Sequence, residues 1–132
     1  MSKETFCSIF KLVEACNQGS QVFLGGAANV AEPALQDLAL RIGRKLVQFE
    51  SELQPEIRRV GVGDPAALRS ELPPMDRNSL LVCGKISLAL ILFYYQQALK
   101  TTLADVVCAK VKRQYSEMQQ AYEQLASLHR AA

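Results

Sequence analysis

The 132-residue sequence predicts an all-α four-helix bundle, and three observations carry that prediction. Apolar residues recur at spacings of three and four in four separate stretches, and each stretch opens on a residue suited to a helix start. No segment between them alternates apolar and polar residues in the manner of a half-buried strand. The length suits one domain around one core, so residues 1–132 are read as a single helical unit. With 49% hydrophobic and 21% charged residues, the composition is that of a compact protein rather than a disordered chain.

The first helix is predicted over about 3–28, with Ser2 as its candidate cap. Phe6, Ile9, Val13, Cys16, Ser20, Phe23 and Ala27 fall along one side of it. Gly25 and Gly26 weaken its last turns, each by roughly 1 kcal/mol relative to alanine. The second helix, about 33–60, opens on Pro33, whose missing amide proton has no intrahelical partner in a first turn. Its stripe of Leu35, Leu38, Ile42, Leu46, Phe49, Leu53, Ile57 and Val60 is the strongest periodicity in the chain and runs to Gly61, a C-terminal stop. Pro55 removes one backbone hydrogen bond, so a kink or break is expected near Ser51 to Pro55.

Periodicity lapses over 61–76, where Gly63-Asp64-Pro65 and Pro73-Pro74 punctuate a long connection. Asp64 is placed to cap a short helix inside it. The third helix, about 77–100, has Asp76 as its cap and carries a single charge, Lys85, between Asn78 and Leu99. Its apolar residues run nearly all the way round, which calls for burial on several sides. The unbroken apolar run from Leu88 to Tyr95 falls short of the roughly 20 residues a bilayer span needs, so membrane insertion is not expected. The fourth helix, about 103–130, opens on Thr102-Leu-Ala-Asp105, the pattern of a capping box. Val107, Val111, Tyr115, Met118, Tyr122 and Leu125 form its expected inner stripe. Short links make successive helices antiparallel, whereas the long second connection can cross the length of the bundle.

Fifteen Lys and Arg against thirteen Asp and Glu leave a formal charge of +2, too little for the dense basic face that nucleic-acid binding requires. The one local cluster, Lys110, Lys112 and Arg113, reads as a solvated helix face. Cys7, Cys16, Cys83 and Cys108 show no CxxC spacing, and the amino terminus has no signal-peptide pattern, so a reducing cytoplasm is the expected compartment. Cys16 and Cys108 fall on apolar faces, where a thiol serves as a small hydrophobe. Tyr94, Tyr95, Tyr115 and Tyr122 read as core residues with hydroxyls reaching a partner or solvent.

Four segments carry a family resemblance: Gln18-Gly19 in helix one, Phe49-Glu50-Ser51-Glu52-Leu53 with Arg58-Arg59-Val60-Gly61 in helix two, Tyr95-Gln96-Gln97-Ala98-Leu99 in helix three, and Arg113-Gln114-Tyr115 in helix four. On these the chain resembles the small bacterial ferritin-like domains of unknown function, over nearly its whole length. The resemblance implies a ferritin-like four-helix bundle, often paired into a dimer, in a bacterial cytoplasm, and it implies no known reaction.

The metal chemistry of the wider ferritin-like group finds few ligands here. A di-iron centre of that kind takes about four carboxylates and two imidazoles from the four helices. The chain has one histidine, His129, and no Glu-x-x-His. No carboxylate lies between Asp76 and Asp105, and the acidic step of helix one is replaced by Gln18. The expectation is therefore a non-enzymatic bundle with a degenerate metal site, no cofactor and no catalytic residues. It would pair with a copy of itself or a partner protein through helix three, on a face comprising Leu81, Lys85, Leu88, Leu92 and Tyr95. Glu50 borders the inner stripe of helix two and is expected to snorkel or pair with a lysine or arginine, while Glu52 and Glu56 mark an exposed face. Two alternatives stand: a metal oxidoreductase or stress protein with ligands recruited from Glu14, Glu50 and Glu117, and a hydrophobic-ligand carrier with its pocket in the Leu- and Tyr-rich interior.

Overall fold

The computed structural model describes residues 2–58 and 75–130. They form four helices, with no strand among the described residues: α1 (Lys3–Ala27), α2 (Pro33–Arg58), α3 (Arg77–Leu99) and α4 (Asp105–Arg130). Two starts follow the sequence. Ser2 Oγ accepts the Thr5 amide at 3.1 Å, and Asp76 Oδ1 accepts the Ser79 amide at 2.7 Å. The bonds to Ser79 hold the Asp76 carboxyl below its usual value. The end of helix two at Val60 and Gly61, the Arg59 of its motif and the Asp64 cap lie outside the described residues.

Two local expectations change. Helix α2 runs without a break through Pro55, which sits exposed in its last turn, where a lost amide hydrogen bond disturbs few successors. Helix α4 begins at Asp105, so Thr102 is not its cap. Leu103 packs against the core and the Thr102 carbonyl accepts from the Thr5 hydroxyl at 3.4 Å, contacts that keep residues 102–104 outside the helix.

Helix α1 packs along α2 and α3, α4 packs on α3, and α4 meets α2 along a thinner seam. Neighbours are antiparallel: α1 meets α3 with Thr5 near Thr102, Cys16 near Tyr95, Gly19 near Ile91 and Gly26 near Leu80. At one end of the bundle Glu56 shares a groove with Ser2, Thr5 and Thr102; at the other, Arg77 pairs with Glu32. The last turn of α2 and the first of α3 therefore lie at opposite ends. The core is continuous, and the α2 stripe from Leu35 to Ile57 is buried throughout.

Candidate functional site

Among the described residues, polar side chains of all four helices meet inside the bundle. Cys16 Sγ on α1 lies 3.9 Å from the Tyr95 hydroxyl on α3, which donates to Gln114 Oε1 on α4 at 2.8 Å. Gln114 Nε2 donates to Glu52 Oε1 on α2 at 3.2 Å, and the Arg113 guanidinium holds the other oxygen of Glu52. Arg113 also lies over the Phe49 ring, 6.0 Å from its centroid, and the Tyr95 and Tyr115 rings stack at 6.1 Å. A second polar cluster joins α1 to α2. Asn17 Nδ2 donates to buried Glu50 Oε1 at 2.9 Å, Gln54 reaches the same oxygen at 3.5 Å, and Gln21 donates to Asn17 Oδ1 at 2.7 Å.

These environments decide protonation. Burial pushes the Cys16 thiol up to about 12; the Tyr95 hydroxyl pulls it down and the Glu50 carboxylate adds to the rise. Burial likewise drives Tyr95 well above its ordinary value, helped by Cys16 and by the carboxylates of Glu52 and Glu117. At neutral pH both remain protonated, so the cluster contains neither a thiolate nucleophile nor a phenolate.

The residues named as possible metal ligands are held apart. Glu14 is half-buried on α1, Glu50 is committed to amides, and Glu117 pairs with Lys45 at 3.6 Å. No group of three or more His, Cys, Asp or Glu that could hold a metal ion occurs among the described residues. Glu50 thus differs from expectation in taking amide rather than cationic partners, while Glu52 is half-buried and Glu56 buried instead of exposed. Gln114 and Asn17 were missed by sequence reasoning. Gln114 stands three residues after Val111 and four before Met118, a spacing that places an amide on the inner stripe in the position expected for Tyr115. Tyr115 and Tyr122 are half-buried at its flank.

The interface face also needs correcting. Leu81, Leu88 and Tyr95 are fully buried inside the bundle, and Lys85 and Leu92 sit half-buried at its margin. The surface that α3 leaves open is one position along, at Val82, Ile86, Leu90 and Phe93, which are 46, 64, 43 and 49% exposed. The phase follows from packing: Gly84 lies on the inner stripe, where Phe23 of α1 and Leu125 of α4 occupy the space its side chain would need. Beside the open face, Val82, Lys85, Ile86 and Ala89 form a groove of about 300 Å³ with Tyr122 and His129 of α4. There Lys85 Nζ is 3.3 Å from His129 Nδ1. By length and composition alone α3 could cross a membrane, but 33% of its most apolar stretch is buried and its inner face is committed to α1 and α4.

Neither a scan against protein-family models nor a search of curated proteins gave a match for this chain.

Proposed function

We propose that this chain is a non-enzymatic bundle of ferritin-like topology that works by association through the open face of α3. The observation that carries the reading is the row of four large apolar side chains, Val82, Ile86, Leu90 and Phe93, each between 43 and 64% exposed on one helix. An isolated exposed leucine needs no explanation, whereas a contiguous apolar row marks a contact surface. Full burial of such side chains contributes roughly 1.5–3 kcal/mol each, and about half of that remains to be gained here.

The ferritin-like reading is supported by the antiparallel neighbours and by α2 ending and α3 starting at opposite ends of the bundle. The degenerate-site reading is supported by the interior layer itself. Bundles of this kind place carboxylates and imidazoles there, and this chain places a thiol, a phenol and two amides with Glu50 and Glu52. Two measurements test the proposal. Light scattering at tens of micromolar is expected to give a species larger than the monomer, and Ile86→Lys is expected to return it to monomer. Protein expressed in iron-rich medium is expected to carry metal near zero by elemental analysis. A monomeric wild type sinks the association reading, and stoichiometric iron sinks the degenerate site.

A further inference from the structure

Separately from the association reading, we propose that the groove between α3 and α4 at Lys85 and His129 is a binding site for a small amphiphilic anion, a medium-chain carboxylate. The carboxylate sits at Lys85 and His129, and the hydrocarbon lies along Ile86 and Ala89 toward Tyr122. The groove holds about 300 Å³ and is lined by Val82, Lys85, Ile86 and Ala89 of α3 with Tyr122 and His129 of α4. That volume stands at the lower end of small-molecule sites. The α3 residues keep the spacing of one helix face over two turns, about 10 Å along the axis, which is the reach of a medium chain.

The polar end of the groove is rich in donors. Lys85 Nζ lies 3.3 Å from His129 Nδ1. An ammonium has no lone pair, so it donates and the ring nitrogen accepts, which leaves the imidazole proton on Nε2. Lys85 and His129 make no other hydrogen bond or ion pair with a described residue, and the Tyr122 hydroxyl makes none. The remaining ammonium hydrogens and the Nε2 hydrogen are therefore available to a ligand.

Charge decides the class of occupant. The nearest acid along α3 is its cap, Asp76, about 14 Å before Lys85 on the helix axis. On α4, Glu117 pairs with Lys45, and Glu123, six residues before His129, falls on another side of the helix. An uncompensated ammonium beside apolar walls concentrates anions, and a carboxylate takes charge-assisted hydrogen bonds from both Lys85 and His129. An inorganic anion leaves Val82, Ile86 and Ala89 wet, and a neutral hydrocarbon leaves the ammonium uncompensated. A carboxylate with a short chain answers both needs. Lys85, Tyr122 and His129 are half-buried between the helices, and a recess of this volume admits one chain rather than the plane of a bilayer.

Heteronuclear NMR titration of the full chain with sodium octanoate at submicellar concentration tests the site. Saturable shifts are expected at the amides of Ile86, Ala89, Tyr122 and His129, with acetate and octanol each binding about tenfold more weakly or worse. Lys85→Met keeps the apolar stem without the charge and should weaken octanoate about tenfold, whereas Lys85→Arg should bind like the parent. Ala89→Phe fills the groove from an exposed position and should abolish the shifts while leaving the helical circular dichroism unchanged. Octanoate binding undiminished in either Lys85→Met or Ala89→Phe, or shifts centred on other residues, overturns the inference. So does a protein that ignores octanoate but floats with phosphatidylglycerol vesicles, which assigns the groove to a lipid surface. Light scattering on the same samples reads association independently, so octanoate bound by a strictly monomeric protein supports this site and sinks only the association reading.

Discussion

Cys16 and Tyr95 are two titratable groups whose chemistry the bundle suppresses. The folded chain keeps the Cys16 proton up to about pH 12, whereas an unfolded thiol with the ordinary value of 9.0 gives it up earlier. The stabilisation from this site is complete below about pH 9 and is lost as pH rises toward 12, a fall of up to about 4 kcal/mol at three pH units. Tyr95, also raised, acts in the same direction above its unfolded value of 10.0. Urea unfolding between pH 8 and pH 11 should show stability falling with pH, with a shallower fall in Cys16→Ala. An unchanged slope in that variant would mean that the thiol does not contribute. The hydrogen bond between Tyr95 and Gln114 gives a second test. Tyr95→Phe leaves Gln114 Oε1 without its buried donor and should cost about 1–3 kcal/mol. Tyr95→Phe combined with Gln114→Met should cost less than the sum of the two single changes, measured as a double-mutant cycle. Strict additivity would show that the bond is energetically idle.

At the scale of the helix, what the sequence discloses depends on how one-sided each helix is. Helix α2 has a single apolar stripe, and every position the periodicity names from Leu35 to Ile57 is buried, with Ala39, Glu50 and Glu56 buried beside them. Helix α3 is apolar on every side, so hydrophobicity cannot phase it and volume decides. Positions 81, 84, 88, 91 and 95 turn inward because Gly84 admits Phe23 and Leu125, and Lys85 and Leu92 are left at the margin. In α4 the difference is one residue: Gln114, not Tyr115, takes the inner position where Tyr95 has a hydroxyl to satisfy. Candidate polar pairs between helices were not legible at all, since they depend on that phase. The glycines turn this into a paired prediction. A Cβ at Gly84 would come within 2.9 Å of Phe23 Cε1 and 3.1 Å of Leu125 Cδ2, whereas nothing lies within 4 Å of one at Gly25. Gly25→Ala should therefore stabilise by about 0.5–1 kcal/mol through helix propensity. Gly84→Ala should destabilise, because overpacking of about 1–3 kcal/mol outweighs that gain. Thermal melts of the two variants shifting in the same direction would contradict this account of the α1–α3–α4 contact.

At the scale of the molecule, α1 is the helix most extensively packed on its neighbours, and α4 is held by α3 and by a seam to α2 that includes Lys45–Glu117 and Arg113–Glu52. Ion pairs at such partly exposed positions contribute little, with a median of about 0–1 kcal/mol. Docking of α4 therefore relies mainly on α3, the same helix that carries the open apolar row. On the proposed reading, a second copy covering that row would bind the folded state and have no counterpart in the unfolded chain, so association would add to stability by mass action. The melting temperature should accordingly rise by a few degrees across a hundredfold increase in protein concentration. Ile86→Lys places a charge at the most exposed of the four positions without touching the inner stripe, so it should melt at the dilute wild-type temperature at every concentration. Calorimetry or circular dichroism over that range checks both arms. A wild type whose melting temperature ignores concentration means that the apolar row contributes nothing to assembly. A variant that melts lower even when dilute means that Ile86 supports the fold of the single chain.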